Sequence, residues 1–384
     1  MSLFRTRSID FLGASGLIAD RTRSRGSSVS VTPSTALRHS AVWACRRLRG
    51  DLVSTLPIDV FRIVDGVQVE MSKPKTFLTP GGEDVDWCEW VYSTQDDLDA
   101  GGNTFGVITE RDANRIPLQI ELVPDNDVVV QGKGSRITKY RIGGSDVPVA
   151  DVWHEKQFTR SGRPMGLSPI AYAAIGIGGY LSAQEFARDW FSGAGIPAAR
   201  LRNTEQVVAP NTADEIKKRF KETVANGDLF VTGKDWEYET IAAKASESAF
   251  IEQMQFSIGD LARYMGVPGD MIDAESSTGS ITYANVTQRN LQLLTINLNP
   301  TLRRRESVFS RKLLPQPRFV KFNRGALLEM DLKTRYEAYK VAIDSRHMAP
   351  SEARALENRT PFTPAQLAEF SIFAKTPTRN GVPA

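Results

Sequence analysis

Apolar positions recur along this chain at two spacings, and the switches between them mark where elements begin and end. From Ser40 to Pro57 the run SAVWACRRLRGDLVSTLP puts Val42, Cys45, Leu48, Leu52 and Leu56 on one helical face. Arg46, Arg47 and Arg49 lie off that face, and Pro57 stops the helix. The next run, IDVFRIVDGVQVEM, alternates with period two on both sides of Asp65-Gly66. That dipeptide between alternating runs predicts a two-residue hairpin. Residues 85–99 return to helical spacing, with Trp87, Trp90 and Val91 apolar. GNTFGVITERDANRIPLQIELVP and NDVVVQGKGSRITKYRIG read as strands with polar turns. The first 160 residues therefore predict an α+β domain.

The middle of the chain is organised differently. Ile170 to Trp190 carries Ile170, Ala174, Ile177, Leu181 and Trp190 on a helical stripe, with Gly176, Gly178 and Gly179 inside it. Each internal glycine costs a helix about 1 kcal/mol against alanine. Either the helix needs a close approach to a neighbour, or it kinks into two shorter ones. A small unit follows: a strand in AARLRN, a helix, and a strand pair in DLFVTGKDWEYETIA. Thr212 and Glu215 fit a capping box, Ile216, Phe220 and Val224 form the stripe, and Asn226-Gly227 stops the helix. Its other face carries Lys217, Lys218, Arg219 and Lys221, a pattern that is most often a solvated face. SESAFIEQMQFSIGDLARYMG is helical again, with Phe250, Met254, Ile258, Leu261 and Met265 in line.

A long helix is predicted from Tyr283 to Leu314, with Leu294, Leu298, Leu302, Phe309 and Leu313 aligned. Pro300 should kink it near Asn299. Between Gly266-Pro268 and this helix lies a run of Ser, Thr, Gly and acids, Asp273 to Thr282. Polar connections of this length between strong helices are uncommon and are usually functional or disordered. PRFVKFN reads as a strand, and LKTRYEAYKVAIDS and PSEARALEN as helices. Residues 1–35, rich in Arg, Ser, Gly and Thr, predict a flexible arm, ordered at most by a partner. The KTPTRNGVPA tail should fray.

Composition narrows the classes. A length of 384 residues allows two or three domains with sizeable cores. The formal net charge is +3, too small for a global basic field that grips nucleic acid over a broad surface. Two cysteines, Cys45 and Cys88, sit in apolar helical settings and are expected to be free and buried. No uncharged apolar run is long enough to span a bilayer, and the N-terminus lacks the apolar core of a secretory signal.

Tests for an enzyme return little. His39, His154 and His347 are far apart and have no partners at metal-ligand spacing. There is no G-x-S-x-G elbow. Around Gly233-Lys234, Asp228 replaces the first glycine of a phosphate loop and Asp235 replaces its hydroxyl residue. Two acidic clusters, Glu83/Asp84/Asp86 and Asp96/Asp97/Asp99, are of the kind that binds magnesium, but they fall where acids are ordinary, at predicted helix ends and loops. No catalytic residue, cofactor or metal site is assigned.

The collinear order of several stretches resembles the HK97-type family of portal proteins of tailed bacteriophages. SAVWACRRLRGDLVSTLPIDVFR resembles the family's first wing helix and strand, and GGNTFGVITERD its Gly-Asn strand. DVWHEKQFTRSGRPMGLSPIAYAA is similar to its His-containing strand followed by Gly-Leu-Ser-Pro, here Gly166 to Pro169. FIEQMQFSIGDLARYMGVPGDMI resembles its stem helix ending in Gly-Val-Pro, and APSEARALEN its C-terminal motif. Ile281-Thr282-Tyr283-Ala284-Asn285 matches the family's pattern only loosely.

The resemblance implies an α+β portal fold and a non-enzymatic ring of about twelve subunits around a channel for double-stranded DNA. It implies a flexible arm over 1–35, an α/β wing over 36–165, a stem helix over 166–196, a small α/β clip over 197–245 and a second stem helix over 246–268. A tunnel loop over 269–282, a kinked tunnel helix and wing strand over 283–330, a helical crown over 331–372 and a disordered tail over 373–384 complete the chain. Glu275, Ser276, Ser277, Thr278, Gly279 and Ser280 would then face sliding DNA. A short, nearly uncharged loop suits that task, because each cation on phosphate adds counterion-release affinity. Lys217, Lys218, Arg219 and Lys221 would meet the large terminase subunit or the head–tail connector. Arg303, Arg304 and Arg305 would line a subunit interface, with acids such as the neighbour's Glu306, or face DNA; a solvated helix face is the plain alternative. The expected partners also include major capsid and scaffold protein, and no membrane. The expected location is a capsid vertex of the virion, after assembly in the host cytoplasm. Another ring component of the head–tail junction, or a metal-dependent DNA-processing enzyme, are the alternatives.

Overall fold

The computed structural model describes residues 9–12, 30–191, 199–203, 210–225, 235–240, 258–272, 283–327, 332–357 and 359–374. They fall into two compact units, Met1–Leu327 and Leu328–Ala384.

In the first unit, Thr32 caps a short helix α1 (Pro33–Ala36), and His39 caps α2 (Ser40–Ser54) by accepting from the Ala41 amide. After Pro57 come β2 (Ile58–Val64) and β3 (Val67–Met71), paired antiparallel with Val64 opposite Val67. Asp65 and Gly66 form the turn with φ of 50° and 82°, as a two-residue hairpin requires. Asp86 caps α3 (Trp87–Gly101), which ends on left-handed Gly102. Then follow β4 (Asn103–Arg111), β5 (Pro117–Val123), β6 (Val128–Lys133), β7 (Arg136–Ile142), β8 (Ser145–Val147) and β9 (Val152–Lys156). Strand β4 lies between β5 and β9 in one sheet, and β6, β7 and β8 form another.

The edge of that second sheet is completed by β1 (Ile9–Leu12), antiparallel to β6 with Ile9 opposite Gly132. This corrects the expectation of a wholly flexible arm over 1–35. A short apolar run, IDFL, finds a free strand edge, and Val31 is buried in the helical core.

Helix α4 (Pro169–Phe191) runs unbroken through its glycines. Ile170, Ala173, Ala174, Ile177 and Leu181 are buried, together with Val42, Cys45, Leu261 and Met265. Gly176 and Gly179 face open space, so among the described residues no close neighbour accounts for them. Strand β10 (Ala199–Asn203) pairs antiparallel with β11 (Trp236–Thr240), and α5 (Pro210–Ala225) lies between them in sequence. Helix α5 starts before Thr212, which is therefore not its cap. Residues 258–265 form α6.

The long helix predicted from Tyr283 is three pieces: α7 (Tyr283–Gln292), a π-helical segment (Leu293–Leu298) and α8 (Asn299–Lys312). Pro300 sits in the first turn of α8. Its missing N–H and its ring exclude the ordinary bond to the Ile296 carbonyl, four residues back. The Asn299 amide instead reaches the Leu294 carbonyl, five back, so the break is a widened turn as well as a proline site. The last strand of this unit, β12 (Phe319–Phe322), pairs with β2.

The second unit contains α9 (Leu332–Asp344), α10 (Pro350–Leu356) and α11 (Pro364–Ala374). Arg335 on α9 grips Glu357 through Nε at 2.9 Å and Nη2 at 3.3 Å. Arg354 stacks over Phe362 at 3.9 Å. Helix α11 was not among the predicted elements.

Candidate functional site: a broken helix on a buried polar clamp

Helix α8 has a charged sequence, NPTLRRRESVFSRK, yet one face of it is seated in the core. The apolar part of the seat is aromatic. Phe309 lies 5.4 Å from Trp87 and 6.0 Å from Trp153, and Trp90 meets Trp153 at 5.6 Å. Trp90 and Trp153 are fully buried, and the Trp90 indole N–H donates to the Ile120 carbonyl. Rings at these separations and tilts contribute beyond their buried area.

The polar part begins with Arg305, only 1% exposed. Its Nε lies 3.1 Å from Glu155 Oε1 on β9. Nη2 donates to Thr94 Oγ1 at 2.5 Å, and Nη1 donates to Gln95 Oε1 at 3.2 Å and the Val91 carbonyl at 3.3 Å. Gln95 Nε2 then donates to Asp99 Oδ2, which also accepts from Arg49 Nε, both at 2.9 Å. Arg49 Nη2 returns to Thr301 on α8, and Gln157 Nε2 reaches Asp99 Oδ1. One network thus ties α2, α3, β9 and α8. Burial raises the Glu155 carboxyl above its usual range, against the pull of Arg305 and Lys312. Burial likewise lowers the Arg305 guanidinium, against Glu155 and Asp99. Each ion is tolerable in the interior because the other is there.

A second set fixes the rest of α8. Glu306 Oε1 accepts from the Phe322 amide and Arg324 Nη1, both at 2.8 Å, while Arg324 Nε donates to Asn299 Oδ1. Lys312 Nζ donates to the His154 carbonyl at 2.9 Å and lies over Trp153; burial lowers its ammonium to about 8. His154 is held well below its ordinary range, mainly by burial, so it is neutral. Asn103 Oδ1 can only accept, so His154 Nε2 carries the proton and Nδ1 takes the Tyr140 hydroxyl. Most of these donors and acceptors are spent on one another, although Glu155 Oε2, Gln157 Oε1 and Trp153 Nε1 are buried with no hydrogen-bond partner among the described residues. The arrangement positions a helix. Upstream of the break, Asn297 Nδ2 donates to the Gly266 carbonyl at the end of α6, and Arg289 pairs with Asp270 at 2.7 Å. Among the described residues, the contacts of the piece before the break are fewer and more exposed than those of α8.

The predicted site residues are distributed unevenly over this frame. Glu275, Ser276, Ser277, Thr278, Gly279 and Ser280 lie outside the described residues, between a short turn at Gly269–Ile272 and α7. Lys217, Lys218 and Arg219 are exposed on α5, and Lys221 is on the same helix. The three arginines part company. Arg303 is exposed and lies 3.7 Å from Glu306 of its own chain. Arg304 is exposed and lies over Phe158, 5.6 Å from its ring. Arg305 is enclosed, so the expectation that it lines an interface or faces DNA is corrected: helical geometry turns it 100° from Arg304, into the core. Glu306 is likewise satisfied within the chain and is not free for a neighbour.

Arg46 and Arg49, expected off the buried face of α2, are buried as well. Arg46 holds Asp96 with both nitrogens of its fork, and Asp97 accepts from Thr104. The Asp96/Asp97/Asp99 cluster is thereby divided among three different partners. Cys45 is free and buried, whereas Cys88 is free but exposed, which corrects half of the cysteine expectation. Glu155 and Gln157 were not singled out from the sequence, and Arg49 and Asp99 were read only as an off-face arginine and a member of an acidic cluster. The signal was a spacing match: arginines at 46 and 49 against aspartates at 96 and 99, each pair three apart on a helix. Among the described residues no group of His, Cys, Asp and Glu is placed to hold a metal ion, and no helix is long and apolar enough to cross a membrane.

Comparison with known proteins follows the same frame. The chain is 27% identical over 353 residues to the probable portal protein of Streptomyces phage phiC31, covering 86% of this chain and 77% of that one. It is 25% identical over 356 residues to the portal protein of Enterobacteria phage HK97, covering 88% and 83%. Its fold matches the crystal structure of an HK97 family phage portal protein from Corynebacterium diphtheriae with a TM-score of 0.60 at 20% identity, over 79% of this chain and 99% of that one. It also matches a chain in the neck of a native gene transfer agent particle computed with C12 symmetry, with a TM-score of 0.54 at 16% identity, over 91% and 99%. The pattern described as "Phage portal protein" matches residues 40–358, most of the chain, and this chain therefore belongs to the phage portal protein family.

Proposed function

We propose that copies of this chain assemble into a ring of about twelve at one capsid vertex of a virion, where the ring conducts double-stranded DNA in packaging and ejection and has no catalytic role. Family membership supports the role, and the C12 symmetry of a neck with the same fold supports the number. The observation within the chain that carries the reading is the bare face of α4. Ile175, Gly176 and Gly179 recur at helical spacing, Ile175 is 75% exposed, and the two glycines meet nothing among the described residues. An apolar stripe with glycines is suited to close packing against the same region of a neighbour, as a ring of identical subunits provides. The second unit is consistent with this. It is small, and Tyr336, Val341, Leu356, Leu367 and Phe370 are exposed on it. So small a unit rarely buries enough surface alone.

In this reading α4 and α6 are stem, α5 with β10 and β11 the clip, α7 to α8 the tunnel helix, and α9 to α11 the crown. The clip helix, through Lys217, Lys218, Arg219 and Lys221, docks the large terminase subunit and later the head–tail connector. Major capsid and scaffold protein surround the ring, which assembles in the host cytoplasm. Residues 275–280 line the channel. Light scattering and negative-stain images test the assembly: a ring of about twelve with a central hole is expected. A chain that stays monomeric with capsid and scaffold protein present contradicts it. Replacing Ser276 to Ser280 with lysine should leave rings intact and impair DNA passage; normal packaging would remove the tunnel assignment.

A further inference from the structure

The chain has a further basic surface, apart from α5 and α8. The turn between β6 and β7 presents Lys133, Gly134, Ser135 and Arg136, and the loop between β9 and α4 presents Arg160, Ser161, Gly162 and Arg163; all eight are exposed. The two tips are joined. The Gly162 amide donates to Ser135 Oγ at 3.1 Å, and a side chain at Gly132 would meet Pro164. The loop is also fixed at its base, where Lys156 Nζ donates to the Pro164 carbonyl and the Gln157 amide to the Gly102 carbonyl.

Residues 128–141 and 156–168 contain seven lysines and arginines and no Asp or Glu. Lys139 and Arg141 are neutralised by Asp146, and Lys156 is occupied by Pro164. Lys133, Arg136, Arg160 and Arg163 form no ion pair among the described residues. Lys133 and Arg136 are moreover direct cross-strand partners at the end of the hairpin. Like charges placed opposite each other destabilise a hairpin, so the chain itself gives no reason for the pair.

We propose that Lys133, Arg136, Arg160 and Arg163 grip the phosphate backbone of double-stranded DNA. Phosphate fits better than an acidic protein surface. A protein interface has an apolar or aromatic centre; residues 133–136 and 160–163 are glycines, serines and cations only, and the exposed Phe158 at the start of the loop lies under Arg304. Hydroxyls and guanidinium forks are the groups that meet phosphate oxygens. The contact differs in kind from the nearly uncharged residues 275–280. Four cations per chain, multiplied around a ring, hold DNA rather than let it slide, which suits a segment at rest against the portal. The inference takes DNA as the cargo from the portal reading.

The test is anisotropy of a labelled duplex of about 30 base pairs, titrated with the full chain over a salt series. The variant K133A/R136A/R160A/R163A should bind more weakly, and its plot of log K against log salt should flatten by about 3 to 4, at roughly 0.9 per phosphate contact. K217A/K218A/R219A, which removes similar charge elsewhere, should keep the wild-type slope. Wild-type affinity and slope in the quadruple variant would overturn the proposal, as would equal losses in both variants. Poly-glutamate displacing the duplex at matched charge would assign the patch to an acidic protein surface and also overturn it. Light scattering on the same samples tests the portal reading separately. A wild-type chain that forms no ring but shows the patch-dependent slope would remove that reading and leave the DNA contact standing.

Discussion

Helices α8 and α4 look, in sequence, like the wrong way round. Helix α8 is dense in charge and would pass for a surface helix, yet Arg305 is enclosed and Glu306 is satisfied by Arg324 and the Phe322 amide. Helix α4 is dense in apolar residues and would pass for a core helix, yet Ile175 faces outward. Among the described residues a single chain completes the first and leaves the second open. What one copy satisfies internally is scaffold; what it leaves apolar and bare is the surface it brings to its neighbours.

Three measurements can break that contrast. The largest effect is expected at the clamp. Arg305→Met strands the Glu155 carboxylate in the interior and should cost about 3–5 kcal/mol, read as denaturant unfolding followed by the fluorescence of nearby Trp90 and Trp153. Adding Glu155→Leu should recover most of it; no recovery would mean that Arg305 acts by packing and not by charge.

A smaller effect is expected at Asp97, whose carboxyl is pushed up to about 7, chiefly by burial. An acid whose pKa is raised on folding stabilises fully below its unfolded value near 4 and loses that contribution as pH rises through 7. Asp97→Asn should therefore be more stable than wild type at pH 8 and equal to it near pH 4. Asp97 is half-buried by surface, so solvent screening trims the gain to about 1–3 kcal/mol. Thermal scans across that window check the sign.

The smallest effect on folding is expected on α4. Ile175→Asp should leave the single chain within about 0.5 kcal/mol of wild type but prevent ring formation. A destabilised monomer would place that face in the chain's own core.

The sequence carried much of this frame and missed a definable part. The β2–β3 hairpin was readable because Asp-Gly and period-two alternation agree at one place. Helices α2, α3 and α4 were readable from their stripes. The clamp was not, because Arg46 and Arg49 obey the apolar rule only once their aspartates are known to face them, and periodicity alone does not weigh partners 50 residues away. Strand β1 was missed because a four-residue run in an Arg- and Ser-rich arm has no pattern of its own; its order comes from the edge of β6. The break before α8 was expected at Pro300, but its form, a π turn bonded from Asn299 to Leu294, depends on how the ladder accommodates the proline.

The most direct test of the contrast is the reactivity of one thiol. In a Cys88→Ser background, which removes the exposed native cysteine, Ile175→Cys places a thiol on the bare face of α4. In the dissociated chain it should react freely with a maleimide, and in the assembled ring it should be protected. Equal reaction in both states would contradict the account, because the face left bare by one copy would then be bare in the assembly too.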